Sequence, residues 1–238
     1  MVTNMNAYLP FDRSNLMDVR IRLCPDCQRP SDGPFGVCNP CMDARQAKHS
    51  DDLKREKAEK LALVWRRICP PLFNKTKWDH PGLSLVLCEL AHTWWAKDDG
   101  MGLGVYGPTG VGKTRAVWEI LRRHHFSGRS VFAATAQQIQ IAVGDFHTDA
   151  FMDRSAARKL IRDCKGSGIL FIDDIGKERT TAAVAAVLHD IVDTRVSHKR
   201  PILWTSELTG TELGEKLGEN YGNGLIRRLR EFSTVIAA

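Results

Sequence analysis

The sequence predicts an α/β fold in which a parallel sheet is flanked by helices, with a small cysteine-rich module in front of it. Three observations lead to this prediction. Strand-like and helix-like runs alternate from residue 72 to residue 238, which is typical of parallel sheets covered on both faces. One strand-like run opens on the glycine-rich segment GPTGVGKT, and four cysteines near the N-terminus form two Cys-x-x-Cys pairs.

Length and composition allow one such core and a small appendage, since the chain has 238 residues of which 43% are hydrophobic. No uncharged apolar run approaches the ~18 residues of a membrane helix. The N-terminal stretch MVTNMNAYLPFDRSN lacks the basic region and apolar stretch of a signal peptide. We therefore expect a cytoplasmic protein with no membrane partner.

The positive charge is concentrated in one segment. The formal net charge is +6, and residues 51–80 supply half of it, with eight Lys or Arg against five Asp or Glu. A local basic segment suggests contact with a polyanion, and a solvated linker helix is the alternative.

Three regions are predicted along the chain. Residues 1–49 form the cysteine module, residues 50–71 a basic linker helix, and residues 72–238 the α/β domain. Ser50 is a suitable N-cap for the linker helix, and Pro70–Pro71 would end it.

Within the α/β domain, strands and helices are predicted in alternation. Strands are expected at 102–106, 130–134, 168–173, 201–206 and 233–237. Helices are expected at 83–96, 113–125, 136–146, 181–199, 209–218 and 225–232.

The segment between the first strand and the next helix matches the phosphate-binding pattern G-x-x-x-x-G-K-[ST] at every position. Its backbone N–H groups and the helix N-terminus would form an anion cradle. Lys113 would reach the β- and γ-phosphates and Thr114 would ligate Mg²⁺. The predicted nucleotide-binding residues are Gly107, Pro108, Thr109, Gly110, Val111, Gly112, Lys113 and Thr114.

Acidic and polar residues end two later strands. Asp173 ends the run ILFID and would hold the metal beside Thr114, while Asp174 could polarise the attacking water or merely hold Asp173. The run ILWTSEL offers Thr205, Ser206 and Glu207 near the γ-phosphate, with Ser206 as the predicted nucleotide contact. The alternative is that Thr205 and Ser206 cap the following turn.

A basic segment near the C-terminus, LIRRLREF, contains Arg227, Arg228 and Arg230. An arginine that reaches a neighbouring subunit's γ-phosphate must lie on an exposed helix end. A basic surface helix is the alternative.

Cys24, Cys27, Cys38 and Cys41 have the spacing of structural zinc ligands. Gly33, Pro34 and Gly36 would supply the turn between the pairs, and MDARQAKH would form a helix, as in treble-clef modules. Four thiolates leave no open position, so the metal would be structural and would supply about 10–16 kcal/mol of folding energy. Disulfides or a redox dithiol are the alternatives, and the other three cysteines are predicted to be packed residues.

Four segments in this order and spacing, GPTGVGKT, ILFIDDIGKE, RPILWTSEL and GLIRRLREF, resemble the DnaC/DnaI-like helicase-loader ATPases, AAA+ P-loop proteins related to IstB. The resemblance covers about residues 65–238 and implies an AAA+ core with a minimal or absent C-terminal lid. It implies ATPase activity with Lys113 and Thr114 as Walker A residues, Asp173 and Asp174 as Walker B acids and Arg228 as the arginine finger. The lead-in RRICPPLFNKTKWDH resembles the segment that lies against the nucleotide.

One position departs from the family pattern. The family usually has Asn as a first sensor where this chain has Glu207. A carboxylate there would repel a γ-phosphate unless it is turned away, so Ser206 or Thr205 could substitute for the sensor, or hydrolysis could be slow.

The resemblance implies a loader that binds ATP, Mg²⁺ and Zn²⁺ and engages single-stranded DNA. Its zinc module would contact a replicative ring helicase (DnaB-like), and it would form a homo-oligomer on that partner. Direct DNA contact by the zinc module is an alternative. The alternative functions are an IstB-like transposition helper acting on duplex DNA, a small-molecule kinase, and an ATP-binding switch with little hydrolysis.

Overall fold

The computed structural model describes residues 22–31, 36–97, 99–146, 150–218 and 221–238. The chain divides into two compact units, one up to Lys57 and one from Ala58 to Ala238. The helices are α1 (Asn39–Ile68), α2 (Leu85–Thr93), α3 (Lys113–Phe126), α4 (Ala136–Asp145), α5 (Phe151–Gly166), α6 (Ala182–Ser197), α7 (Gly210–Leu217) and α8 (Gly222–Glu231). The strands are β1 (Gly102–Tyr106), β2 (Val131–Thr135), β3 (Ile169–Asp173), β4 (Ile202–Ser206) and β5 (Ser233–Ala237).

The described strands form one parallel sheet in the order β2-β3-β4-β1-β5. Strand β4 therefore lies between β1 and β3, so residues that follow all three strands meet at the same edge. Apolar clusters cover both faces: α4 to α8 pack on one, and α2, α3 and the end of α1 on the other.

The predicted α/β architecture is confirmed. The ends of each predicted strand agree with the structure to within one residue, whereas helix α5 was not predicted.

Helix α1 corrects the predicted start of the linker helix. It runs without interruption for 30 residues from Asn39, so Ser50 lies inside the helix and does not cap it. The segment contains no glycine and its proline lies in the first turn, so nothing breaks the helix near Ser50. Asp51 and Asp52 form i,i+3 ion pairs with Lys54 and Arg55, which support a helix already formed.

The C-terminal end of α1 packs on α3, the helix that follows the glycine-rich loop. The Trp65 side chain is buried, and its ring centroid lies 5.8 Å from that of Trp118. The ring of His125 bonds through Nε2 to the carbonyl oxygen of Leu61 at 2.8 Å. This end of the basic helix is therefore part of the core of the second unit.

Another histidine of α3 is buried in its neutral form. His124 is fully buried, and its Nε2 accepts a hydrogen bond from the Ala96 N–H at 3.2 Å. Its ring lies 4.1 Å from that of Trp95. Burial lowers the pKa of His124 to about 4, and the nearby charges of Arg129 and Arg123 act in the same direction. Protonation would also remove the acceptor that Ala96 uses.

We predict that the free energy of unfolding falls as the pH decreases from about 6.5 to about 4. In that window the unfolded chain binds a proton at His124 that the folded chain does not, so acid favours the unfolded state. The loss from this residue is no more than about 3 kcal/mol. Urea unfolding of the wild type at pH 7 and pH 4.5, compared with His124→Gln, measures it. The exposed His198→Gln is the control, and a His124→Gln protein with the wild-type pH slope would contradict the prediction.

Candidate functional site

The glycine-rich loop joins β1 to α3 and has the backbone shape of an anion cradle. Gly107, Gly110 and Gly112 have φ angles of 146°, 88° and 97°, which glycine adopts without strain. At Gly112 a Cβ atom would also lie 2.5 Å from the carbonyl oxygen of Gly82. No side chain caps the start of α3 at Gly112, so the amides of its first turn face the loop without a side-chain acceptor and suit an anion.

Lys113 lies inside this loop. Only 5% of the residue is exposed, and its Nζ donates hydrogen bonds of 2.8 Å to the carbonyl oxygens of Gly107 and Pro108. Burial lowers the pKa of Lys113, while the carboxylates of Glu207 and Asp174 act in the opposite direction. The loop thus contains a buried cation next to its free amides.

Asp173 joins the loop to two strands of the sheet. Its Oδ1 accepts a hydrogen bond from the Thr114 hydroxyl at 2.8 Å and another from the Thr205 hydroxyl at 2.5 Å. Burial raises the pKa of Asp173, and the bonds from Thr205 and Thr114 lower it. A carboxylate and a hydroxyl at this distance are oxygen ligands of the kind that Mg²⁺ takes in phosphate sites.

Asp174 follows in an unusual backbone conformation. Its φ angle is 57°, in the left-handed region, and its N–H donates to the Thr205 hydroxyl at 2.9 Å. Its carboxylate forms an ion pair with Lys177 at 3.0 Å. The Lys177 ammonium also lies 2.8 Å from the carboxylate of Glu207, which accepts a further hydrogen bond from the hydroxyl of Thr109 in the loop.

A cavity of about 320 Å³ lies beside these residues at the carboxyl edge of the sheet, although the predicted residues Gly107, Pro108, Val111 and Asp173 do not line it. Of the predicted residues, the cavity brings together Thr109, Gly110, Gly112, Lys113, Thr114 and Asp174. The remaining lining residues are Phe73, His80, Gly82, Arg115, Lys177 and Glu207.

Another wall of the cavity comes from the segment before α2, which contributes Phe73, His80 and Gly82. Arg115 fixes this wall: its Nη1 donates to the Thr76 hydroxyl at 2.9 Å, and its guanidinium lies 5.5 Å from the Phe73 ring centroid. Neither Arg115, which directly follows Thr114, nor Lys177, which lies within ILFIDDIGKE, was predicted to be a site residue.

Ser206 requires a correction, because it was predicted to contact the nucleotide. It is fully buried, and its hydroxyl donates to the carbonyl oxygen of Ile175 at 2.7 Å and accepts from the Leu208 N–H at 3.0 Å. These bonds cap the turn after β4 and leave no exposed atom for a ligand. Its neighbour Thr205, also buried, is the residue that bonds to Asp173.

Arg228 does not line the cavity. It lies on α8, and its guanidinium is 2.8 Å from the Asp193 carboxylate of α6. A larger open groove, of about 1170 Å³, lies between α7 and α8 and is lined by Arg227 and Arg230, but not by the glycine-rich loop, Asp173 or Asp174. A role of Arg228 toward a neighbouring subunit stays a prediction.

The four N-terminal cysteines form a candidate metal centre in the first unit. Their Sγ atoms all lie within 4.8 Å of one another. Tight turns shape both pairs, with the Gln28 N–H bonded to the Cys24 carbonyl and the Met42 N–H to that of Cys38. A tetrahedral Zn²⁺ with Zn–S bonds of about 2.3 Å fits such a cluster. Gly36 has a φ of 76°, while the predicted turn residues Gly33 and Pro34 lie outside the described residues.

A fork of two hydrogen bonds joins the first cysteine pair to α1. Arg45 donates from Nε and Nη2 to the Asp26 carboxylate, both at 2.6 Å. This bidentate contact fixes the first turn on the helix that carries Cys41.

The chain is similar in sequence to the replicative helicase loader DnaC of Escherichia coli K12, with 27% identity over 124 residues. The match covers 52% of this chain and 48% of that protein, and DnaC of Shigella flexneri matches to the same extent. The chain therefore spans about half the length of the curated relatives it matches. No known protein-family profile matches it.

Solved structures share the fold. A DnaI crystal structure superposes with a TM-score of 0.56 and 16% identity, over 71% of this chain and 90% of that one. A crystal structure of the DnaC helicase loader has a TM-score of 0.56 and 19% identity, over 71% of this chain and 99% of that one. Domain III of Thermotoga maritima DnaA has a TM-score of 0.51 and 19% identity, over 71% of this chain and 68% of that one. None of the helices in the described part of the chain is long and apolar enough to cross a membrane. The predicted resemblance is confirmed: the chain is similar to DnaC helicase loaders, and its second unit has the AAA+ P-loop fold.

Proposed function

We propose that the protein is an ATP-dependent helicase loader, which binds ATP with Mg²⁺, hydrolyses it, and places a replicative ring helicase on single-stranded DNA. The observation that carries the nucleotide part is the pair of hydroxyl groups, Thr114 and Thr205, that converge on Asp173 beside the glycine-rich loop. The loader part rests on the similarity to DnaC.

Each residue of the site has a separate role in the proposed binding and hydrolysis of ATP. The loop amides and the N-terminus of α3 bind phosphate oxygens, and Lys113 neutralises their charge. Thr114 and Asp173 hold Mg²⁺, which when bound neutralises the charge that develops on the phosphates. Thr205 fixes the orientation of Asp173. Asp174 orients the attacking water, and Arg228 of a neighbouring subunit stabilises the transferred phosphate in a homo-oligomer assembled on the helicase.

For the nucleotide, we predict that Lys113→Ala abolishes most of the affinity for ATP, because a buried charge on the phosphates is lost. Asp174→Asn should keep ATP binding but slow hydrolysis by about 100-fold or more, as expected for a residue that assists proton transfer. Binding of a fluorescent ATP analogue and phosphate release measure the two effects. Lys159→Ala, in an exposed ion pair with Asp163 on α5, is the control. If Asp174→Asn hydrolyses ATP at the wild-type rate, another residue orients the attacking water.

For the metal, we predict one zinc ion per chain, held by Cys24, Cys27, Cys38 and Cys41. Cys24→Ser or Cys38→Ser should release the zinc and unfold the first unit, because the metal supplies folding energy that its small core cannot. ATP binding by the second unit should persist. Elemental analysis of reduced protein and the affinity for ATP test this, with Cys88→Ser as the control that keeps its zinc. Wild-type protein purified without zinc would disprove the assignment.

For the loading activity, we predict that the protein with ATP increases unwinding by the ring helicase of its own replication system on single-stranded circles coated with single-strand-binding protein. The fraction of circles unwound should rise with the concentration of the protein until it saturates. Neither Lys113→Ala nor Cys24→Ser should increase unwinding, because the first loses ATP binding and the second loses contact with the helicase. ATP hydrolysis stimulated by duplex DNA, with no effect on the helicase, would favour a transposition helper instead.

A further inference from the structure

The cavity contains a lysine that the glycine-rich loop and the paired acids do not include. Lys177 lies in the turn after β3, and its ammonium is 3.0 Å from the Asp174 carboxylate and 2.8 Å from that of Glu207. Its side chain is 45% exposed and lines the cavity together with Lys113 and Thr114. It is thus positioned by two carboxylates on the side of the cavity where Asp174 lies.

The other cationic side chains of the cavity occupy different positions. Among the described residues, the lining includes Lys113, Arg115 and Lys177 as cationic side chains. Lys113 lies inside the loop on its carbonyl oxygens, and Arg115 is bonded to Thr76 of the segment before α2. Of these three, Lys177 is the one in direct ion-pair contact with Asp174, the acid proposed above to orient the attacking water.

Glu207 explains why a lysine is needed here. Its carboxylate lines the same cavity and would repel a triphosphate. The contacts of Glu207 with Lys177 and with the Thr109 hydroxyl offset that charge and turn the carboxylate toward the loop. An ammonium group has three N–H donors. Two of them serve the carboxylates, and the third is left for a phosphate oxygen.

We propose that Lys177 binds the γ-phosphate within its own subunit, with Glu207 as its positioning residue, and that this contact makes the site prefer ATP over ADP. The inference rests on the proposed function, in that the cavity must bind ATP. It assigns to a lysine and glutamate pair the place of the polar sensor that Glu207 replaces.

The test measures the dissociation constants of a non-hydrolysable ATP analogue and of ADP. Lys177→Met should weaken binding of the ATP analogue by about 10-fold or more, since a charge-assisted hydrogen bond is lost, while ADP binding changes by less than about 2-fold. Lys177→Arg should restore most of the preference. Glu207→Gln should give an intermediate loss, because the lysine is then held by Asp174 alone. Lys159→Met, which removes a lysine from an exposed ion pair, should leave both constants unchanged.

The double variant Lys177→Met with Glu207→Gln distinguishes a direct contact of Lys177 with the γ-phosphate from neutralisation of the Glu207 charge. If Lys177 contacts the γ-phosphate, the double variant keeps the lowered preference for ATP. If Lys177 only neutralises Glu207, removing both charges restores the wild-type preference, and the proposal is overturned. An unchanged ratio of the two constants in Lys177→Met would overturn it as well.

Failure of this inference is distinct from failure of the proposed function. If the wild type binds neither nucleotide, or Lys113→Ala binds both normally, the nucleotide assignment itself is wrong. Should Lys177→Met not fold, as judged by its melting temperature, Lys177→Gln with a shorter polar side chain replaces it, with the same expected loss.

Discussion

The second unit depends on one oxygen atom, Oδ1 of Asp173, which accepts hydrogen bonds from both Thr114 and Thr205. Thr114 belongs to the first turn of α3, Asp173 ends β3, and Thr205 lies in β4. Three segments far apart in sequence are thus joined at one partly buried carboxylate. Removing a carboxylate from water costs free energy unless hydrogen bonds replace that water, and the two hydroxyl groups supply those bonds.

The strand order makes that junction possible. Because β4 lies between β1 and β3, a residue near the end of β4 is the neighbour of both the glycine-rich loop and the acidic strand end. Alternation along β4 then decides which side chain takes part, since consecutive strand residues face opposite sides of the sheet. Thr205 therefore meets Asp173, whereas Ser206 turns to Ile175.

Different interactions stabilise the first unit. Its buried cluster comprises Cys24, Val37 and Cys38 among the described residues, which is too little apolar area to support a fold without another source of energy. The cysteine cluster and the Asp26–Arg45 fork are what hold its turns to α1. The fork is exposed and adds little stability, but it fixes orientation.

Much of this architecture could be predicted because the signals were local. The glycine-rich loop, the apolar strands and the acids at the end of β3 are each contained in one short segment. The start of α1 could not be predicted from Ser50, because a capping residue also occurs inside helices when nothing interrupts the preceding turn. Helix α5 buries only Ala157, Ile161 and Cys164, which is too sparse a pattern to recognise. The contact between Lys177 and Glu207 depends on how β3 and β4 are paired, which no local pattern encodes.

The backbone at residue 174 restricts which side chains fit there, independently of the proposed role of Asp174. A φ of 57° places this residue in the left-handed region, where aspartate and asparagine are the non-glycine residues best tolerated. Aspartate is therefore compatible with the turn as well as with the proposed role, whereas glutamate would strain the backbone in this region. The shorter acid thus suits the conformation of the chain at the end of β3, and a loss of activity on lengthening it would reflect turn geometry as well as the proposed water position.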